Sequence, residues 1–238
     1  IAQSLSDVQS HGPGGMQGRD WIFNVVGDGA FTVDADRPKL VPALSELIER
    51  RKHKAKLAGT AKELLLFRVL HACKAHLLSN LDTEPLLCPS VDEWLSELGF
   101  SSVRDGMASG WTPLRFAIMA GHTKLAEELL DKGADVTSPL KRGDNRFAAQ
   151  PGQTLLHLAC FIRDDPDMVR LLLSRGADPR RPDKSSVGGR PLALACAYGG
   201  RRANVDAMLA HDPSLASLPD TRTGLMPLSI APFYGHAA

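Results

Sequence analysis

The chain has 238 residues, 28 Lys and Arg against 27 Asp and Glu, and only 5% aromatic residues. That length holds one large domain or two small ones, and a 43% hydrophobic content excludes wholesale disorder. A formal net charge of +1 argues against a strongly basic nucleic-acid binder unless the charges are segregated. Four cysteines without a CxxC pair do not make a disulfide scaffold, and they point to a reducing, intracellular compartment, cytoplasmic or nuclear. No apolar run approaches the roughly 18 residues of a membrane span. Ile1 to Ser10 lack the basic start and apolar stretch of a secretory signal. The missing initiator Met fits a fragment or a processed form.

Residues 1–20, rich in Ser, Gln and Gly, read as a flexible lead. The glycine-rich run from His11 to Met16 has no Gly-Lys-Ser/Thr after it, so it is no phosphate-binding loop. Residues 21–109 read as a mainly helical region. It opens with a short β-hairpin across Trp21 to Val33, turning at Gly27-Asp28-Gly29. Three helices follow. The first is expected over 41–57, with Pro42 tolerated in its first turn. The second spans about 61–79. The third is capped by Ser90, with Glu93 completing a capping box, and ends near Gly99. Arg50, Arg51, Lys52, Lys54 and Lys56 put five cations in seven residues. They read first as a solvated helix end that complements the helix dipole, and second as a docking or targeting patch. His71, Cys73 and His76 do not share one helix face. Cys73 and His76 alone fall short of the three or four ligands of a metal site.

The remainder repeats itself. Thr112-Pro113-Leu114, Thr154-Leu155-Leu156, Arg190-Pro191-Leu192 and Met226-Pro227-Leu228 start segments spaced by 42, 36 and 36 residues. Leu114, Leu156, Leu192 and Leu228 form one column. Ala117, Ala159, Ala195 and Ala231 form another, and Gly121, Gly199 and Gly235 a third, broken only by Arg163. Such self-similarity marks stacked supersecondary units. In the first unit Thr112 can cap a helix, Pro113 suits its first position and Gly121 ends it. A second helix over about 124–132 closes at Gly133-Ala134-Asp135, and the next unit closes at Gly176-Ala177-Asp178. The third departs from this ending, with His211-Asp212-Pro213 where Gly-Ala-Asp would stand.

Gly110-x-Thr112-Pro113-Leu114, Ala117, Gly121-His122, Leu129-Leu130 and Gly133-Ala134-Asp135 resemble the ankyrin repeat. The resemblance covers residues 110–238, as units over 110–142, 152–185 and 188–222 and a partial unit over 224–238. It implies an all-α, ankyrin-type helical solenoid of about 3.5 repeats. It also implies that His157 orders its turn by hydrogen bonding, and that the connections between units project as fingers on one edge.

No GxSxG, HExxH or kinase signature occurs. Cys160 and Cys196 read as small packing residues, and no catalytic residue, metal or cofactor is expected. The function expected is a non-catalytic protein-interaction scaffold or adaptor, with no small-molecule substrate. The alternative is a regulatory or targeting segment of a larger enzyme or channel, motivated by the missing start and the half-finished last unit. Partner contacts are expected from Arg115 and Met119, as exposed positions of the first unit, and from Lys141, Arg142, Arg146, Arg180, Arg181 and Lys184 in the fingers. Asp144 and Asp183 partly neutralise these basic loops. The fingers read as ordinary solvated loops or as an edge that meets an acidic partner surface.

Overall fold

The computed structural model describes residues 37–78, 88–147, 149–186, 188–197 and 201–230. The flexible lead and the hairpin expected across Trp21 to Val33 lie outside the described residues. The chain divides into two units. One comprises residues 1–86 with 146–148, and the other residues 87–145 with 149–238.

The first unit is a pair of helices, α1 (Arg37–Ala58) and α2 (Ala61–Leu78), that pack on each other. Gly59, at φ 65°, takes the left-handed turn between them. Thr60 then caps α2 by accepting the Glu63 amide at 3.2 Å. Leu65, Leu66, Val69, Leu70 and Cys73 are buried along α2. Helix α1 begins at Arg37, so Pro42 lies inside it rather than in its first turn. A proline there costs the helix one backbone hydrogen bond. Three cations of the basic run lie against neighbouring acids. Arg50 bonds Glu46 at 2.6 Å, Arg51 lies 3.6 Å from Glu63, and Lys52 and Lys74 converge on Glu49 at 3.0 and 2.8 Å. The hydrogen bond from Lys74 is the main reason that the Glu49 carboxyl stays below its ordinary range.

The second unit opens with α3 (Val91–Leu98). Its capping box is formed as expected, with the Glu93 amide donating to Ser90 Oγ and the Ser90 amide to Glu93 Oε2. Helix α3 covers the first repeat: Trp94 Nε1 donates to the Pro113 carbonyl at 3.1 Å, and its ring meets His122 edge-on. Three helix pairs follow, α4 (Pro113–Ala120) with α5 (Thr123–Asp131), α6 (Leu155–Ile162) with α7 (Pro166–Ser174), and α8 (Pro191–Ala197) with α9 (Arg202–His211). A short α10 (Pro227–Ile230) begins a fourth. The first helices α4, α6, α8 and α10 stack in series, and so do the second helices α5, α7 and α9. Among the described residues the only bridge is between Asp144 and Ala149, so the fold is all-α.

The expected caps are in place. Thr112 and Thr154 accept the Arg115 and His157 amides, and Gly121 adopts φ 77°. Where Gly121 has no counterpart, Arg163 is extended, and its guanidinium reaches back to the Met119 and Ala120 carbonyls at 2.7 and 3.1 Å. Arg201 does the same for Phe161 and Ile162. Cations thus satisfy the carbonyls that a helix C-terminus leaves open, and they tie each repeat to the one before. Capping also crosses repeats. Asp164 accepts the amides of Ala203 and Asn204 at the start of α9. The third unit keeps the turn-forming aspartate despite its unusual ending. Asp135, Asp178 and Asp212 each accept the amide two residues on, at 2.8 to 3.0 Å.

Candidate protein-interaction edge

Three fingers leave the helix pairs in one register. Leu140, Asp183 and Asp220 each donate an amide to the residue just before the next unit's start, namely Gln153, Gly189 and Leu225. The following residue reaches back to the opening of its own unit. The amides of Lys141, Lys184 and Thr221 donate to the carbonyls of Ser109, Pro151 and Gly188, at 2.8, 2.8 and 3.3 Å. Glycine makes this approach feasible. A Cβ on Gly110 would stand 2.8 Å from the Lys141 amide, and one on Gly152 would stand 2.8 Å from the Lys184 amide. Both glycines also adopt positive φ, 94° and 84°.

This register sorts the charges. Leu140, Asp183 and Asp220 point inward and are buried. Asp183 accepts the amide and hydroxyl of Ser185, at 3.0 and 2.6 Å. Asp220 accepts the Arg190 amide, and burial pushes its carboxyl above the ordinary value. The cations just after these inward residues face water. Lys141 and Arg142 on the first, Lys184 on the second and Arg222 on the third are all exposed. The expected neutralisation by Asp183 is therefore corrected, because that carboxylate is spent inside the finger. Asp144 is half-buried. Arg222 is not among the contacts expected from the sequence. Its signal is the register itself, since it stands two places after Asp220 as Arg142 stands two places after Leu140.

The other expected contacts fare differently. Arg115 and Met119 are not exposed; each is 1% accessible. Arg115 donates to the carbonyls of Ser138 and Gln153, at 3.2 and 3.1 Å, and stacks over Trp111. Burial lowers its pKa to about 10, so it remains charged at neutral pH. It occupies the place in its unit that His157 occupies in the next. His157 Nε2 meets the Gly189 carbonyl at 3.1 Å, and its Nδ1 faces the Thr154 amide at 3.1 Å. An amide can only donate and a carbonyl only accept, so the ring is neutral with its proton on Nε2. Burial lowers its pKa to about 4. Arg180 is exposed but held by Asp212 and Ser214, both at 2.6 Å. Arg181 is half-buried and leans on the Thr137 carbonyl. Arg146 falls in the first unit, where it donates to the Lys62 carbonyl at 2.9 Å. Lys141, Arg142 and Lys184 thus remain as open cations of the expected set.

Cys160 is buried with its thiol 3.3 Å from Met208 Sδ, and burial pushes its pKa far up. Burial likewise raises Cys196 to about 11. Both are thiols at neutral pH, the unreactive form. Among the described residues no three His, Cys, Asp or Glu side chains gather as metal ligands, and no helix is long and apolar enough to cross a membrane.

The family model for the ankyrin repeat matches residues 109–139 and 151–184. These two segments are ankyrin repeats. The helix pair α8–α9 continues the same stack beyond them. Among known proteins, the chain is 33% identical over 104 residues to "Ankyrin repeat, SAM and basic leucine zipper domain-containing protein 1" of Mustela putorius furo, covering 42% of this chain and 18% of that protein. It is 29% identical over 119 residues to "Ankyrin repeat and MYND domain-containing protein 1" of Mus musculus, covering 50% and 13%. It is 35% identical over 106 residues to "E3 ubiquitin-protein ligase KEG" of Arabidopsis thaliana, covering 44% and 6%. The chain therefore matches less than a fifth of each relative's length. Ankyrin repeats generally mediate protein–protein interaction and are typically non-catalytic.

Proposed function

We propose that the chain is a non-catalytic interaction scaffold whose ankyrin fingers meet an acidic surface on a protein partner. One observation carries this reading: a shared finger register buries Asp183 and Asp220 and exposes Lys141, Arg142, Lys184 and Arg222. A rigid edge with cations outward and carboxylates inward steers an acidic partner and raises its association rate. Burial of Arg115 and of all of α4 and α6 supports the same edge, because it leaves the fingers and second helices as the accessible polar surface of these repeats.

The test is capture of partners by the chain at two salt concentrations. Reversal of Lys141, Arg142 and Lys184 to Glu is expected to remove the salt-sensitive captures. Unchanged capture would sink the acidic-edge reading. A second reading, a targeting segment of a larger enzyme, is supported by the similarity to a protein named as an E3 ubiquitin-protein ligase. A full-length transcript that encodes no catalytic domain would remove it.

A further inference from the structure

We infer that the finger edge accepts an extended acidic segment whose carboxylates recur at every third residue. This rests on the acidic-partner reading above and adds to it a conformation and a spacing.

Each finger contributes an open cation one or two places after its inward residue: Lys141 and Arg142 after Leu140, Lys184 after Asp183, and Arg222 two places after Asp220. None of the four has an ion pair or side-chain hydrogen bond among the described residues, in contrast to Arg180, which Asp212 holds at 2.6 Å. Each finger is fixed by its reach to the opening of its own unit, and the Lys184 side chain begins directly against Gly152, whose Cβ would fall 2.7 Å from Lys184 Cγ. The cations therefore recur with the repeat. Stacked first helices lie about 8–10 Å apart, and the fingers they carry follow that step. An extended chain of polyproline II type rises about 3.1 Å per residue with three residues per turn, so three residues span about 9 Å and return to the same face. Glu or Asp at positions i, i+3 and i+6 of such a segment would meet successive fingers. A helix places i, i+3 and i+6 only about 4.5 Å apart along its axis, which misses the step.

The experiment uses the full chain and two nine-residue peptides of equal composition. One carries Glu at positions 1, 4 and 7, and the other at positions 1, 2 and 3. Fluorescence anisotropy at low salt is expected to show the spaced peptide binding about tenfold tighter. Lys184→Ala, which removes the middle cation from an exposed position, is expected to erase most of that preference. Equal binding of both peptides, lost on reversal of Lys141, Arg142 and Lys184 to Glu, would overturn the spacing and leave the acidic-edge reading standing. Binding of neither peptide would overturn both. A single-stranded oligouridylate of ten nucleotides that outcompetes the spaced peptide would overturn the inference in favour of a nucleic-acid strand. Thermal melts of each variant report whether the chain remains folded.

Discussion

The junction between repeats one and two and the junction between repeats two and three solve one problem with different chemistry. In both, a buried side chain three places into the first helix donates to the backbone carbonyl just before the next unit. At the first junction the donor is Arg115, charged, bound to two carbonyls and stacked on Trp111. At the second it is His157, neutral and limited to one donated bond. What the repeat requires at this place is a donor that spans the finger base, rather than a particular residue. The choice of donor decides how each junction answers to acid.

The largest expected effect comes from removing the charged donor. Arg115→Met leaves a buried and a half-buried carbonyl without that donor and is expected to cost about 4 kcal/mol, measured by urea unfolding. His157→Ala is expected to cost about 3 kcal/mol, from the lost bonds and the cavity. Local coupling in a repeat array predicts that the two losses unfold different segments, which hydrogen exchange would resolve.

Acid should act on the second junction alone. His157 titrates near 4 in the folded chain against about 6.5 unfolded. Between these values the unfolded chain binds the extra proton, so stability is fully present above about pH 6.5 and falls as the pH drops towards 4. The expected loss is about 3 kcal/mol. Arg115, with its pKa near 10, holds its charge throughout that window. His157→Gln is expected to flatten the acid limb of the stability curve. Arg115→His is expected to add a second acid-sensitive step, and a pH–stability profile unchanged by both variants would break the comparison.

A smaller effect is expected where Arg163 covers the end of α4. Arg163→Ala should cost about 2 kcal/mol through the freed Met119 and Ala120 carbonyls. A Cβ on Gly121 would collide with the same guanidinium. Gly121→Ala should therefore cost less in the Arg163→Ala background than alone, a coupling that a double-mutant cycle reads. Smallest of all, charge reversal at the exposed Lys141 and Lys184 should shift stability by less than about 0.5 kcal/mol.

The repeats were legible in the sequence because their signals are local. Caps such as Thr112, Thr154 and Ser90 with Glu93 need only a few neighbouring residues to act, and the Leu and Ala columns recur in phase. The burial of Arg115 is hard to read from sequence because arginine is so seldom fully buried that residue type points it to the surface. Its column held the better clue, since His157 stands in the same place. Met119 likewise shares its place with Phe161, and both are buried. The finger register that sets Asp183 inward and Arg222 outward depends on contacts such as Lys184 with Pro151 and Thr221 with Gly188, about 30 residues apart in the chain. No local pattern encodes such contacts. The turn role of Asp212 was masked because its unit lacks the Gly-Ala that normally precedes the aspartate.

Gly110 and Gly152 each mark a seam. A finger folds back onto the glycine that opened its own unit, so the stretch from one such glycine to the next holds both halves of that contact. Duplicating one stretch would recreate the same seam at its new border and demand no compensating change elsewhere. Extra residues placed beyond the seam, as in the longer first finger, leave it untouched. The array can therefore grow in whole units and vary in its fingertips while its register is preserved, which separates the evolution of its length from the evolution of what it recognises.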